Sequence, residues 1–463
     1  MTLNCAVVGA GPSGFYATAM LLAEGFAVDL YDVLPTPFGL VRAGVAPDHP
    51  NIKAVTRVFE RTARHASFRF FGGVELGADV SRAELLERYH VVVYAIGAAT
   101  DNRLGIPGEE LLGSLPATEF VAWYNGHPHH AHRDFDLSAE RAVVIGNGNV
   151  AIDVARMLVL HPDELRVTDA ADYAIEALGS SNVREVVLLG RRGPAQAAFT
   201  NPELRELGEL MRADVVVAAE EAALDPLSHG WLEQAGDATS RRNVALLADY
   251  AGRPPRGHEH RVVLRFLRSP LALLGDGRVE AVRVSVNRIE AGADGALRAV
   301  PTGVTEEIPC GLAIRSIGYR GVPVAGIPFD ERRGLIRNDG GRVVDAGGRP
   351  QLGEYVVGWI KRGPSGVIGA NKKDAAGTVA HLLADRDAGA LGAPALPRPG
   401  DDWLARRGGR VVGWEGWRAI DAHETARGEP HGRPRVKLVS ADELHEAANG
   451  VSAPNSLEPS RSC

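Results

Sequence analysis

Two segments of the chain share a pattern in which a strand of small and branched residues runs into a glycine-rich turn and then a helix. The first reads CAVVGAGPSGFYATAMLLAEGFAVDLYD over residues 5–32, and the second reads RAVVIGNGNVAIDVARML over residues 141–158. Such a turn carries the backbone tightly from a parallel strand into a helix packed on the sheet. The pattern predicts an α/β fold with two Rossmann-like units.

The first segment carries all the parts of a nucleotide-binding loop. Gly9, Gly11 and Gly14 fill the three glycine positions, and the next strand, AVDLYD, ends at Asp32. The helix N-terminus offers free N–H groups to a diphosphate, and the acid accepts hydrogen bonds from ribose hydroxyls. An acid here indicates an unphosphorylated ribose, as in FAD or NAD. The alternative, a glycine turn without ligand, is disfavoured because strand, spacing and acid agree.

The second segment ends differently. Its loop GNGNVA covers residues 146–151, and an extra helical stretch over about 161–179 delays the next strand to 186–189. That strand is followed by Arg191 and Arg192 where an acid is usual. Arginine presents a rigid fork suited to phosphate, so the pair predicts a site for the 2′-phosphate of NADP. The alternative is a solvated or salt-bridged surface pair.

An acid-ended site and an arginine-ended site in one chain suggest that NADPH donates a hydride to a tightly held FAD. The segment GPSGVIGA begins a helix with small residues, so the N–H groups of Gly366, Val367 and Ile368 are expected at the flavin pyrimidine edge, with Trp359 against a ring. The alternative is a helix cap beside a core tryptophan. From pattern alone, His49 is a cap or a solvated turn residue, and Glu203 and Glu206 are surface acids of a helix.

Composition excludes several classes of protein. The 463 residues carry a net charge of −7, which argues against a dedicated nucleic-acid binder. The three cysteines lie far apart in sequence, so neither a CxxC redox pair nor an iron–sulfur cluster is expected, and no metal site is predicted. No apolar run approaches 18 residues, so no membrane span is expected. The first strand leaves no room for a signal peptide, which predicts a cytoplasmic protein.

Longer blocks of sequence resemble one family over most of the chain. These blocks include GAGPSGFYAT, LPTPFGLVRAGVAPDHP, IGNGNVAIDVAR, GRRGPAQAAFT, ELREL, RSIGYRGVP, GEYVVGWIKRGPSGVIGANKKDA and GEPHGRPRVKL. The chain resembles the ferredoxin–NADP⁺ reductases of the adrenodoxin reductase type, in their bacterial branch. The resemblance runs from the first strand to about residue 440.

The resemblance implies a set of site residues. It implies non-covalent FAD at Ser13, Gly14, Asp32, Leu40, Leu76 and Gly97, with Trp359 and residues 366–368 lining the isoalloxazine. For NADPH it implies Asn147, Gly148, Asn149, Val150, Arg191, Arg192, Glu203 and Gly366. It also implies that His49 and Glu206 form an ionic couple beside the nicotinamide. The family tends to have an NADP-contacting arginine where this chain has Asn102, and Arg103 is the candidate substitute.

The implied enzyme transfers a hydride from NADPH to flavin and then single electrons to a separate, acidic ferredoxin that supplies P450s or other ferredoxin-dependent enzymes. Arg205, Arg241 and Arg242 are candidates for the basic docking surface. The expected FAD domain is residues 1–107 and 320–463, with the NADP domain inserted at 108–319. Residues 389–401 read as a linker before a charged C-terminal extension. Disulfide reductases lack support without paired cysteines. A monooxygenase, another NADPH:acceptor oxidoreductase and a regulatory flavoprotein without turnover remain alternatives.

Overall fold

A computed structural model describes residues 2–366, 368–400, 403–404 and 410–450. Their contacts divide the chain into two compact units. The first unit contains residues 1–100, 125–131 and 319–463, and the second unit contains residues 101–124 and 132–318. The second unit is therefore inserted in the first, and the chain returns briefly to the first unit at 125–131 before its final return at 319. The expected domain boundaries were 107/108 and 319/320, and the assignment of one nucleotide to each domain stays a prediction.

The first unit is built on a seven-stranded sheet in the order β18-β19-β20-β4-β1-β2-β3. Strands β20, β4, β1, β2 and β3 run parallel, and β18 and β19 add an antiparallel edge. The strands of this sheet are β1 (Asn4–Val8), β2 (Ala27–Asp32), β3 (Phe68–Gly72), β4 (Val91–Tyr94), β18 (Asn338–Asp339), β19 (Arg342–Val344) and β20 (Pro350–Val356). Every residue of β2 and β4 is buried, as expected for strands covered on both faces.

The helices of the first unit cover this sheet. They are α1 (Pro12–Ala23), α2 (Leu40–Ala43), α3 (Pro50–Lys53), α4 (Thr56–Ala63), α5 (Arg82–Arg88), α14 (Trp359–Arg362), α15 (Ile368–Asp387), α16 (Trp414–Gly428) and α17 (Ala441–Ala448). Short strands β15 (Tyr319–Arg320), β16 (Phe329–Asp330) and β17 (Leu335–Ile336) follow the return of the chain. The cluster around α1 joins Phe15, Phe38 and Phe59 to Trp414 and Trp417 of the C-terminal extension. The extension is thus part of the core.

The expected linker at 389–401 is fixed to the sheet at Arg398 and Pro399. Arg398 donates to the buried carboxylate of Asp29 on β2, and Arg69 donates to the same carboxylate and to the carbonyl oxygen of Pro399 at 2.9 Å. Tyr89 adds a hydroxyl donor to Asp29 at 2.6 Å. A buried carboxylate needs such partners. The described residues of the segment have no helix or strand, as expected of a linker, but its proline-rich composition does not reveal that a buried acid holds Arg398.

The second unit contains a six-stranded parallel sheet in the order β6-β14-β7-β8-β10-β9. Its strands are β6 (Ser114–Pro116), β7 (Arg141–Ile145), β8 (Glu185–Leu189), β9 (Ala213–Val217), β10 (His260–Arg265) and β14 (Leu312–Arg315). Its helices are α6 (Ala117–Tyr124), α7 (Asn149–Val159), α8 (Pro162–Leu165), α9 (Asp172–Gly179), α10 (Asn201–Gly208), α11 (Ala219–Ala222), α12 (Pro226–Gln234) and α13 (Ala238–Gly252). The extra helical stretch predicted before β8 is present as α8 and α9.

A three-stranded antiparallel sheet belongs to the second unit. It consists of β11 (Arg268–Leu274), β12 (Ala281–Ala291) and β13 (Leu297–Pro309), and the short strand β5 (Thr100–Asp101) lies where the chain passes between units. The pairing of β12 shifts register between Ser285 and Asn287. None of the described helices combines the length and apolar character needed to cross a bilayer. The two Rossmann-like units, one inserted in the other, match the predicted fold class.

Candidate functional site

The first glycine loop, between β1 and α1, has the backbone geometry that its sequence predicted. Gly9 has φ +108°, and a side chain on Gly14 would overlap the carbonyl oxygen of Gly9. Gly11 instead faces open space, with no atom within 4 Å of an added Cβ. Two glycines therefore allow the tight turn and close packing, and the third leaves room for a ligand next to the N-terminus of α1.

Asp32 lies at the end of β2 beside this loop. Its carboxylate is buried and accepts hydrogen bonds from the backbone N–H groups of Ala10 at 2.6 Å and Leu34 at 2.9 Å. A carboxylate offers about four acceptor positions, so capacity remains for hydroxyl donors. Burial raises the pKa of Asp32 to about 6, against the opposing effect of the two backbone hydrogen bonds.

A strained loop at Phe38 and Gly39, which the sequence did not reveal, packs against the glycine turn. Phe38 has φ +83°, which is rare for a bulky residue, and its N–H donates to the carbonyl oxygen of Ala10 at 2.9 Å. A Cβ on the following Gly39 would lie 3.0 Å from the Cα of Gly11. The Phe38 ring lies in the aromatic cluster of the core, at 5.5 Å from the Trp417 ring centroid. The core packing therefore compensates for the strain.

The second wall of this site is the turn between β20 and α14. Gly358 has φ +79°, and a side chain there would overlap Ser13 of the glycine loop. The N–H of Gly358 donates to Asp374 on α15 at 2.6 Å, and Lys361 pairs with the same carboxylate at 2.9 Å. Asp374 therefore fixes the turn, a role that the sequence analysis did not assign. The adjacent Trp359 carries a buried indole Nε1 without a hydrogen-bond partner among the described residues.

These features fit the FAD predicted from the sequence. The open cradle at Gly11 suits a diphosphate, the buried carboxylate of Asp32 suits ribose hydroxyls, and the unpaired Nε1 of Trp359 suits a polar ring atom. Of the other predicted residues, Leu40 begins α2, Leu76 is half-buried, and Gly97 follows β4 with φ +71°. Gly366 is exposed with φ +79° before α15, whose first residue is Ile368. Val367 lies outside the described residues.

The second glycine loop, between β7 and α7, is built in the same way. A side chain on Gly146 would overlap the carbonyl oxygen of Ser316, whereas Gly148 precedes α7 and faces open space. Asn149, at the first helical position, accepts from the N–H of Thr200 at 2.8 Å and donates to Glu203 at 2.9 Å. Its neighbours Asn147 and Val150 are half-buried. Glu203 therefore links α10 to the loop and is not an ordinary surface acid.

Arg191 and Arg192 follow β8 and are both exposed. Neither guanidinium forms an ion pair with the described part of the chain. Partial burial, and then the positive charge of Arg191, lower the pKa of Arg192. A bound dianion would offset the repulsion between these two adjacent cations, which have no acidic partner among the described residues. The geometry therefore favours the phosphate-binding interpretation over a salt-bridged pair.

The two candidate catalytic residues lie in different units. His49 occupies the N-cap position of α3, as the pattern-based default has it, but its side chain forms no capping hydrogen bond there and is buried, with 9% of its surface exposed. Its Nε2 is 3.9 Å from an Asp48 oxygen. Glu206 on α10 lies 3.7 Å from the guanidinium of the buried Arg156. The ionic couple of His49 and Glu206 stays a prediction.

Arg103 has partners that compete with its predicted role. Its guanidinium pairs with Glu109 at 3.2 Å and with Glu110, and 54% of its side chain is exposed. A nucleotide contact at Arg103 would therefore need these pairs to rearrange, and the contact stays a prediction. Within the described ranges, no group of three or more His, Cys, Asp or Glu side chains is placed to hold a metal ion.

Comparison with known proteins agrees with this geometry. A family model described as pyridine nucleotide-disulphide oxidoreductase matches residues 3–188. The chain is 50% identical over 452 residues to the NADPH-ferredoxin reductase FprA of Mycobacterium tuberculosis, covering 95% of this chain and 97% of that protein. It is 44% identical over 463 residues to human mitochondrial NADPH:adrenodoxin oxidoreductase, covering 96% of this chain and 91% of that protein.

A solved structure of Mycobacterium tuberculosis FprA in complex with NADPH superimposes with a TM-score of 0.91 at 48% identity. The match covers 97% of this chain and all of that one. Both relatives and the solved structure match this chain over nearly its whole length. The chain belongs to the family of NADPH–ferredoxin reductases that includes adrenodoxin reductase.

Proposed function

We propose that this protein oxidises NADPH and passes the electrons, through bound FAD, one at a time to a separate ferredoxin. One NADPH supplies a hydride, which carries two electrons, and two ferredoxin molecules each accept one of them. The reduced ferredoxin then serves P450s or other ferredoxin-dependent enzymes. Bound FAD supplies the chemistry that connects a two-electron donor to one-electron acceptors.

The observation that carries this proposal is the difference between the two nucleotide loops. The first ends at a buried carboxylate, Asp32, and the second at two exposed guanidiniums, Arg191 and Arg192. A carboxylate suits the free ribose hydroxyls of FAD and would repel a 2′-phosphate, whereas the arginines attract it. One chain therefore provides separate places for a flavin nucleotide and for NADPH. The full-length similarity to named ferredoxin reductases supports the same acceptor.

The residues of the chain hold and orient the reactants in this proposal. The free N–H groups at the start of α1 and α7 bind the two diphosphates. His49 and Glu206 orient the nicotinamide, and neither has to act as a general base because a hydride moves without a protein acid or base. Cys5 and Cys310 are buried, and burial raises the pKa of both thiols, to about 12 for Cys310. Thiol chemistry of the kind found in disulfide reductases is therefore disfavoured at these two positions.

Rapid mixing of the flavin-loaded protein with NADPH tests the proposal. We expect the flavin absorbance to bleach within a turnover and then to recover when oxidised ferredoxin is added, with two ferredoxins reduced per NADPH. Cytochrome c reduction through a panel of ferredoxins identifies the preferred partner. A regulatory flavoprotein would show binding without turnover, and a monooxygenase would couple NADPH oxidation to oxygen consumption and a hydroxylated product.

His49→Ala is expected to slow flavin reduction by about 10–100-fold and to leave the affinity for NADP⁺ nearly unchanged, because the loss of an orienting contact acts on alignment more than on phosphate binding. Rapid mixing gives the rate, and titration with NADP⁺ gives the affinity. His65→Ala is the matched control, since His65 is an exposed histidine of the same unit. An unchanged rate in His49→Ala would leave the residue with a packing role only.

Ferredoxin-dependent activity is expected to fall steeply as salt rises, whereas reduction of a neutral dye is not. The proposed acidic ferredoxin would meet exposed arginines of the second unit, namely Arg205 on α10 with Arg241 and Arg242 on α13. Exposed charges are screened over about 8 Å at physiological ionic strength. Arg241→Ala/Arg242→Ala should flatten the salt dependence, with Arg283→Ala as control. Parallel salt curves for ferredoxin and dye would contradict electrostatic docking.

A cytoplasmic location is part of the proposal. The two described cysteines, Cys5 and Cys310, are free thiols, which is typical of a reducing compartment. Fractionation of cells that express the protein from its own gene tests this point.

A further inference from the structure

The turn that carries Arg191 and Arg192 is held by the corner between β10 and β11. Its carbonyl oxygens at Gly190 and Arg192 accept hydrogen bonds from the backbone N–H groups of Arg268 at 2.9 Å and Leu267 at 3.1 Å. Leu267 has φ +55°, one of two non-glycine residues with positive φ in the described chain. Such a conformation persists only where the surroundings fix it. The corner is therefore built to meet the arginine turn.

An ion-pair network fixes this corner in turn. Arg265 and Arg268 both contact Glu221 and Glu306, at 2.7 to 3.1 Å. The N–H of Phe266 also donates to Glu221 at 2.8 Å. Four charged groups around one backbone corner leave it little freedom to adjust, so the position of the arginine turn depends on the groups that join it to the corner.

The remaining carbonyl of the turn, at Arg191, is reached by one side chain from a distant strand. The amide nitrogen of Asn287 on β12 donates to the carbonyl oxygen of Arg191 at 3.0 Å and to the Ser269 hydroxyl at 2.8 Å. Asn287 is 4% exposed, and its Oδ1 has no hydrogen-bond partner among the described residues. Because a carbonyl can only accept, the nitrogen must face the turn. The asparagine is thus used as a donor alone.

The strand itself is shaped to present this amide. The pairing of β12 with β13 breaks between Ser285 and Asn287, and the N–H of Asn287 donates to the carbonyl oxygen of Leu267 at 2.8 Å. A register break of this kind re-aims a side chain relative to a regular strand. Burying a polar side chain costs free energy, and an apolar residue would fill this position if only packing mattered. The amide instead donates to a backbone carbonyl next to the candidate phosphate site.

We infer that Asn287 is a positioning residue for coenzyme specificity: its amide holds the Arg191 backbone so that the two guanidiniums meet the 2′-phosphate of NADPH together. The inference rests on the proposed function, since it requires that Arg191 and Arg192 bind that phosphate. Asn287 does not touch the coenzyme in this arrangement. The antiparallel sheet β11–β13 is then a support for the specificity turn of the nucleotide-binding sheet.

The test compares two probes that differ by one phosphate, adenosine 2′,5′-bisphosphate and 5′-AMP, in binding titrations of the FAD-loaded protein. Asn287→Leu removes the donor at similar volume, and misplacement of the guanidiniums is expected to weaken the bisphosphate about tenfold and to leave 5′-AMP unchanged. Asn287→Ala, which also cannot donate, is the second variant if the first fails to fold. Full binding of 5′-AMP, whose proposed site lies in the second unit with Asn287, reports that the fold around Asn287 is intact.

A control variant and a second genetic background separate the possible outcomes. Ser285→Ala, a buried polar residue on the same strand that does not touch the turn, should bind both probes as the wild type does. In the Arg191→Ala/Arg192→Ala background, Asn287→Leu should have no further effect on the bisphosphate. An additional loss there, or equal weakening of both probes, would reduce Asn287 to a structural role and overturn the inference. If the double arginine variant itself keeps the discrimination, the proposed phosphate site fails instead.

Discussion

Replacing Arg191 and Arg192 together with alanine is expected to lower the preference for NADPH over NADH by about 10²-fold or more. Both guanidiniums are exposed and lack an acidic partner in the described chain, so both are available to a phosphate. Charge-assisted hydrogen bonds contribute about 1.5–3 kcal/mol each, and two of them account for a factor of this size. The KM for NADPH should rise, and that for NADH should change little because NADH lacks the phosphate.

The decisive measurement is the ratio of kcat/KM for the two coenzymes in the double variant. Arg283→Ala/Arg288→Ala is a matched control, since these two arginines lie exposed on β12 and pair with acids at 2.8 and 2.6 Å. Electron transfer from flavin to ferredoxin should survive in both variants. A ratio within about twofold of the wild type would remove the assignment of NADP to the second loop, because a surface pair without ligand predicts no change.

Local sequence was enough to predict the strands, the glycine loops and the residues at the strand ends. Parallel strands buried on both faces read as continuous apolar runs, and the glycine positions follow from steric needs that act over a few residues. For this reason the end of β2 at Asp32 and the delayed start of β8 were both predicted correctly. The roles of the loop residues as ligand contacts stay predictions, since they depend on bound nucleotides as well as on the fold.

Contacts between residues far apart in sequence could not be predicted from local sequence patterns. The positive φ of Phe38 depends on aromatic residues at 414 and 417, and the fixed segment at 398 depends on a buried acid at 29. Likewise, Asn287 meets the arginine turn across nearly one hundred positions of sequence, and a lone asparagine in a strand carries no signal of this. The burial of His49 is a similar case. These residues support the site from outside its glycine loops, and periodicity and spacing give no information about their contacts.

Asp32→Ala is expected to lose FAD during purification, with an affinity at least about 10²-fold weaker, since each charge-assisted hydrogen bond to a ribose hydroxyl contributes about 1.5–3 kcal/mol. The substitution also removes the acceptor for the N–H groups of Ala10 and Leu34. Fluorescence of released flavin gives the affinity. Glu24→Gln, which neutralises an exposed acid at the end of α1, should retain FAD fully. Wild-type retention in Asp32→Ala would show that the first loop was wrongly assigned.

The same carboxylate predicts how FAD binding depends on pH. Burial raises the pKa of Asp32 from 3.8 to about 6 in the ligand-free protein, so the folded state takes up a proton that the unfolded chain does not hold between these values. The ligand-free fold therefore gains stability from this group as the pH falls from about 6 toward 3.8.

The affinity for FAD changes in the opposite direction and falls with pH, because a protonated carboxyl loses acceptor capacity for the ribose. We expect the FAD dissociation constant to rise as the pH falls below about 6, by up to about tenfold per pH unit. In Asp32→Asn, binding should be weaker but flat over the same range. A pH of 5 is about one unit below that pKa, so most of the carboxyl would be protonated there. Wild-type affinity for FAD that stays constant from neutral pH to this value would mean that Asp32 does not accept from FAD as a carboxylate.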